Sequence, residues 1–167
     1  HQPRGKQRWI EKNFSCWYMP ITGIWKTVWT EYVPKISLSN IKMTPDLQKG
    51  CLELEADINI PEEQYNRGLM LDITVSLRDE FINRTCISIS SSHVKTSLNV
   101  KRTECSGVRH DVEAWRPNRP SLYDLNLKIV DNQRVVDEVG SYFAMRDIRI
   151  EGSHVLLNGY PLYQRLI

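Results

Sequence analysis

The feature that most constrains this chain is a hydrophobic period of two. Leu69, Leu71, Ile73, Val75 and Leu77 are apolar, with Asp72, Thr74 and Ser76 between them. Leu52, Leu54, Ala56 and Ile58 alternate in the same way with Glu53, Glu55 and Asp57, and Tyr123, Leu125, Leu127 and Ile129 alternate with Asp124, Asn126 and Lys128. Successive side chains of a strand point to opposite faces, so these runs describe strands with one buried and one wet face. A helix needs apolar residues three and four apart, and no window of helical length has that spacing.

Turn chemistry punctuates the runs. Thr44-Pro45-Asp46 and Gln48-Lys49-Gly50 break the chain before the second strand. Ile60-Pro61 and Arg67-Gly68 bracket the connection to the third, and Asp131-Asn132 separates the last two as a hairpin turn would. The reading is about seven strands, near 36–43, 50–59, 69–78, 85–91, 94–101, 122–130 and 134–142. Seven short antiparallel strands in about 110 residues predict an all-β fold, a two-sheet sandwich of immunoglobulin type. The Cys–Trp–Cys pattern of antibody domains is missing, so the architecture is expected without that disulfide.

The flanks differ from this middle region. Residues 1–33 hold four of the five tryptophans and end in an expected strand at 25–33, on which Trp25, Thr27 and Trp29 share a face. After residue 145, Ile148 to Ile150 and Val155 to Leu157 surround Glu151-Gly152-Ser153 and precede Asn158-Gly159, the strongest short hairpin signal. A small hairpin feeding a new strand at 162–167 is expected. Neither end reads as a native terminus, so a piece of a longer protein is expected.

Composition narrows the function classes. The balance of 22 basic and 20 acidic side chains leaves a net charge of +2, which argues against nucleic acid or an anionic membrane as partner. No apolar run approaches the roughly 18 residues of a membrane span. The four cysteines, Cys16, Cys51, Cys86 and Cys105, form no C-x-x-C pair and stand at no metal-ligand spacing with His93, His110 or His154. Free thiols in a reducing compartment are expected, with one disulfide left open. No metal and no cofactor are expected.

Three segments carry a resemblance. Thr22-Gly23-Ile24-Trp25-Lys26-Thr27-Val28-Trp29-Thr30-Glu31 resembles the end of a sugar-binding jelly roll. Trp115-Arg116-Pro117-Asn118-Arg119-Pro120-Ser121-Leu122-Tyr123-Asp124-Leu125 resembles a W-x-P-x-x-P-x-L-Y-x-L segment of an immunoglobulin-like domain. Gly140-Ser141-Tyr142-Phe143-Ala144-Met145-Arg146-Asp147-Ile148, continued by Leu156-Leu157-Asn158-Gly159-Tyr160-Pro161-Leu162, is similar to a G-x-R-x-I…L-N-G-x-P junction. In that order they resemble family 2 glycoside hydrolases, the β-galactosidase-like enzymes, in which Gly is usual where Ala144 stands here. Without the family, the prolines read as a rigid crossover and Trp115 as cover for an open sandwich edge.

The resemblance implies three parts: residues 1–33 as the C-terminal part of a sugar-binding jelly roll, 34–143 as the sandwich, and 144–167 as a hairpin and first strand leading into a (β/α)₈ catalytic barrel. It implies a parent that hydrolyses O-glycosyl bonds, β-galactosides first, through a covalent glycosyl–enzyme intermediate. Such hydrolysis needs two carboxyl groups at a set separation. Those of the family lie on barrel strands downstream, and the acidic residues here sit on wet strand faces. No catalytic residue is assigned, and the chain by itself is expected to be inactive. Arg4 and Trp17 are the candidates for a sugar contact, since Arg donates hydrogen bonds to hydroxyls and an indole stacks on a sugar ring.

The expected partners are the remainder of the parent enzyme and its carbohydrate substrate, in a bacterial cytoplasm. The sugar, the linkage and homo-oligomerisation are left open. The alternative reading is a stand-alone carbohydrate-binding β-sandwich with an exposed aromatic platform.

Overall fold

The structure is a computed structural model. It describes Lys12, Gly23, Ile24 and residues 26–65, 68–103 and 110–164. The chain divides into two compact units, His1–Tyr32 and Val33–Ile167.

The second unit is an antiparallel β-sandwich, as the alternation predicts. One sheet has the order β1 (Ser37–Asp46), β2 (Cys51–Asn59), β5 (His93–Asn99). The facing sheet has the order β4 (Glu80–Ser88), β3 (Met70–Leu77), β8 (Tyr123–Asp131), β9 (Arg134–Phe143). Two-residue strands β6 (Arg102–Thr103) and β7 (His110–Asp111) pair with each other. A third sheet, β10 (Ile148–Glu151), β11 (His154–Leu157) and β12 (Tyr160–Pro161), follows the sandwich within the same unit.

The core is the set of apolar positions that the period of two predicts. Leu52, Leu54, Ala56 and Ile58 of one sheet and Leu71, Ile73, Val75, Leu77, Leu125, Leu127 and Ile129 of the other are buried. Each fully buried aliphatic side chain contributes about 1.5–3 kcal/mol relative to exposure. The outward residues pair across strands instead. Lys42 and Lys95 meet Glu55, and Arg84 grips Asp72 with two hydrogen bonds of 2.9 and 2.6 Å.

Some expectations are corrected. β1 does not stop before Thr44 but runs through Pro45 to Asp46. It is an edge strand, so the missing N–H of Pro45 costs no ladder bond. β4 begins at Glu80 rather than near 85, because Arg78 and Asp79 form a tight hairpin turn with φ of 51° and 64°. No strand forms over 26–34. An extended segment becomes a strand only when a neighbour supplies its hydrogen bonds, and among the described residues none pairs with it. Beyond β12, Leu162 donates its N–H to the Val155 carbonyl (2.8 Å), but Leu162, Tyr163 and Gln164 form no strand.

Seven main strands put the two ends of the sandwich chain at opposite poles. β1 starts where Leu38 donates its N–H to the Asp137 carboxylate, near the start of β9 (2.8 Å). β9 ends at Phe143, paired with Tyr123 at the start of β8, at the pole where the β1–β2 turn lies. The ten residues of β9 span roughly 30 Å at the usual strand rise.

Candidate functional site: the exit pole of the sandwich

One cluster of polar chemistry within the second unit lies at the pole where β9 ends. It has two parts, an arginine–carboxylate hub and a lock between the sandwich and the third sheet.

Glu113 is the centre of the hub. Its side chain is 11% exposed. It accepts hydrogen bonds from Arg78 Nη2 (2.5 Å) and Ser121 Oγ (2.5 Å), and it pairs with Arg119 Nε at 3.0 Å and Arg102 Nη1 at 3.8 Å. Arg102 also pairs with Glu80. The Ser121 hydroxyl and then the three guanidinium groups hold the Glu113 carboxyl below its usual range, against the opposing push of burial. The Glu113 N–H donates to the Tyr123 hydroxyl (2.9 Å). Tyr123 is fully buried and its ring stacks on Phe143 at 5.1 Å. A tyrosine at the start of this strand whose hydroxyl bonds to upstream backbone is the tyrosine corner of immunoglobulin-type sandwiches. Burial pushes the Tyr123 hydroxyl pKa above its usual value, against the lowering pull of the hydrogen bond from the Glu113 N–H.

The lock centres on Trp115 and Asn158. Trp115 donates its N–H to the Met145 carbonyl (2.9 Å), and Arg146 lies over its indole at 5.5 Å. The Asn158 side chain accepts from the Asp147 N–H (3.0 Å) and donates to the Trp115 carbonyl (2.9 Å). The Asn158 N–H in turn donates to the Asp147 carbonyl (2.8 Å). Arg116 and Arg119 exchange backbone hydrogen bonds of 3.0 Å around Pro117-Asn118, which makes the predicted rigid crossover a closed turn. Arg116 lies over the Tyr160 ring at 5.6 Å. Through its backbone N–H and carbonyl, Trp115 thus ties the crossover to the segment that leads into the third sheet.

An open groove of about 450 Å³ between the β1–β2 turn and Arg146-Asp147 is lined by Asp46, Glu53 and Asp147 among others. Each of these carboxylates has a local partner. Asp46 pairs with Lys49 (3.0 Å), Glu53 accepts from Ser97 (2.8 Å), and Asp147 lies 3.8 Å from Arg149. A general acid needs a raised carboxyl pKa. Among the described residues, every carboxyl group with a resolved shift is lowered: Asp46, Glu55, Asp57, Asp72, Glu113 and Glu138.

Arg4 and Trp17 lie outside the described residues, as do Cys16 and Cys105. Cys51 and Cys86 are free thiols. Trp29 is exposed and its indole N–H donates to Glu31 (2.7 Å). No group of three His, Cys, Asp or Glu side chains among the described residues could hold a metal ion, and none of the described helices is long and apolar enough to cross a membrane. Sequence reasoning missed Glu113 and its arginines, which come from four separate places in the chain. Asn158 was legible as a turn residue and as part of the junction motif, not as a partner of Trp115. Its pairing with Trp115, 43 positions away, leaves no local signal.

The architecture defines a class, an antiparallel β-sandwich of immunoglobulin type followed by a small three-stranded sheet. The sequence profile of glycosyl hydrolases family 2 matches residues 36–146, and the chain belongs to that family. It is 25% identical over 146 residues to a putative β-glucuronidase of Formosa agariphila, covering 82% of this chain and 17% of that protein. It is 22% identical over 151 residues to a β-galactosidase of Thermoanaerobacter pseudethanolicus, covering 89% and 19%. Among solved structures, the β-glucuronidase of Ruminococcus gnavus in complex with uronic deoxynojirimycin matches its fold with a TM-score of 0.54 at 17% identity, over 78% of this chain and 19% of that one. The chain thus spans less than a fifth of the length of these relatives.

Proposed function

We propose that this chain is the non-catalytic spacer of a family 2 glycoside hydrolase. Residues 1–33 are the tail of its sugar-binding jelly roll, 34–143 its immunoglobulin-like sandwich, and 144–167 the link and hairpin that lead toward its (β/α)₈ barrel. The observation that carries this reading is the through-going topology: β1 starts at one pole, and the chain leaves β9 at the other into a locked three-stranded sheet. Ile148 and Ile150 on that sheet are 54% and 75% exposed, an apolar surface suited to packing against more protein.

The parent hydrolyses β-linked glycosides, with β-galactosides the first expectation and β-glucuronides the alternative suggested by the relatives' names. In the intact enzyme Arg4 and Trp17 shape a sugar subsite. Replacing either by Ala lowers kcat/KM there; unchanged kcat/KM in both variants removes them from the site.

The rival reading, a stand-alone carbohydrate-binding module, draws support from the exposed indole of Trp29. Titration of galactose and glucuronic acid against tryptophan fluorescence separates the two. A spacer gives no saturable change in the isolated chain, and a binding module gives one.

A further inference from the structure

The spacer reading requires the chain to leave the sandwich in a fixed direction, yet only the short stretch Ala144 to Asp147 links β9 to β10. Backbone alone does not fix such a link, since each free residue keeps two soft dihedrals. We propose that Asn158 is the positioning residue that fixes this direction, holding the third sheet rigid against the sandwich. The proposal rests on the spacer reading for its purpose, but its geometry stands without it.

Asn158 stands where three segments meet. Through Oδ1 it takes the Asp147 N–H, which belongs to the link itself. Through Nδ2 it reaches the Trp115 carbonyl on the crossover of the sandwich. Through its backbone N–H it bonds back to the Asp147 carbonyl. Trp115 completes the circuit by donating its own N–H to the Met145 carbonyl on the same link. The link is thus gripped on both sides, by the crossover at Met145 and by the third sheet at Asp147.

Position 158 also needs a left-handed backbone, with φ of 53°. Asparagine tolerates that conformation better than other residues with side chains. Glycine tolerates it too, but has no amide to reach Trp115 or Asp147. The position therefore demands both properties at once, and a short amide side chain meets them. Aspartate would keep the acceptor for Asp147 and lose the donor for Trp115. Arg146 over the Trp115 indole and Arg116 over the Tyr160 ring brace the same junction from outside.

The test compares the full chain with Asn158→Gly, which keeps the turn and deletes both side-chain bonds, and with Asn158→Asp. Residual dipolar couplings of the β10 and β11 amides are fitted together with those of β3 and β8. In the native chain one alignment tensor fits all four strands. In Asn158→Gly two tensors are needed, and the Asp147 amide exchanges on the order of tenfold faster, the loss of roughly one net hydrogen bond. Asn158→Asp keeps partial protection at Asp147. Amides of Ile73 and Leu127 exchange as in the native chain. A single tensor that still fits Asn158→Gly overturns the proposal, as does a native chain that already needs two. Protection lost equally at Asp147 and Ile73 also overturns it, because Asn158 would then be a general determinant of stability. None of these outcomes depends on sugar binding or hydrolysis, so the spacer reading and the clamp fail separately.

Discussion

Glu113 carries a charge into a place where water reaches little of it, and the three arginines around it come from the β3–β4 turn, β6 and the Pro117-Asn118 turn. These guanidinium groups are between about a third and two-thirds exposed, so solvent screens part of each attraction. The pair energies are modest, but the hub joins elements that share no sheet. Because the Glu113 carboxyl is held below the ordinary glutamate pKa of about 4.3, its contribution is complete above that pH and fades as the pH falls through the native pKa. Glu113→Gln is expected to cost about 1–2 kcal/mol at pH 7. In urea unfolding the difference from the native chain should shrink below about pH 4. A difference that stays constant down to pH 3 would mean that the charge of Glu113 is not what the hub uses. Little of this was legible in advance. Glu113, Arg78, Arg102 and Arg119 are ordinary polar residues in the sequence, and only the fold makes them neighbours.

At the scale of the element, the strands were legible wherever one face is buried. β2, β3 and β8 follow the alternation because a slip of one residue would turn every Leu and Ile of those runs toward water. β4 was displaced because its leading turn is Arg78-Asp79, a pair without the Asn-Gly chemistry that marks such turns. The β8–β9 turn is similar. Asn132 and Gln133 have φ of 45° and 71°, one position beyond the expected Asp131-Asn132. Asn158-Gly159, by contrast, was read directly, and both residues have positive φ. Glutamine in a left-handed conformation stores about 1 kcal/mol of strain. Gln133→Gly turns the pair into Asn-Gly and should raise stability by about 0.5–1 kcal/mol. Thermal unfolding should report a Tm higher by roughly 2–4 °C. An unchanged or lower Tm would show that the entropy glycine adds to the unfolded chain cancels the relief.

At the scale of the molecule, the odd number of main strands matters more than any single residue. A chain that enters and leaves at the same pole could be an appendage to another domain. One that crosses from pole to pole can hold two neighbours apart. Family membership and sandwich class were both legible from the sequence, the first from Trp115-Arg116-Pro117 and Leu157-Asn158-Gly159 in order, the second from the period of two. The continuity of sandwich and third sheet was not, because it rests on contacts across long separations. The central claim is that this chain supports the chemistry of its family without performing it. The most direct measurement is release of nitrophenol from p-nitrophenyl β-galactoside and β-glucuronide by the purified 167-residue chain. No release above buffer is the expected result. Release that scales with protein concentration and is abolished by an active-site glycosidase inhibitor would contradict it, because the chain would then hold a working pair of carboxyl groups.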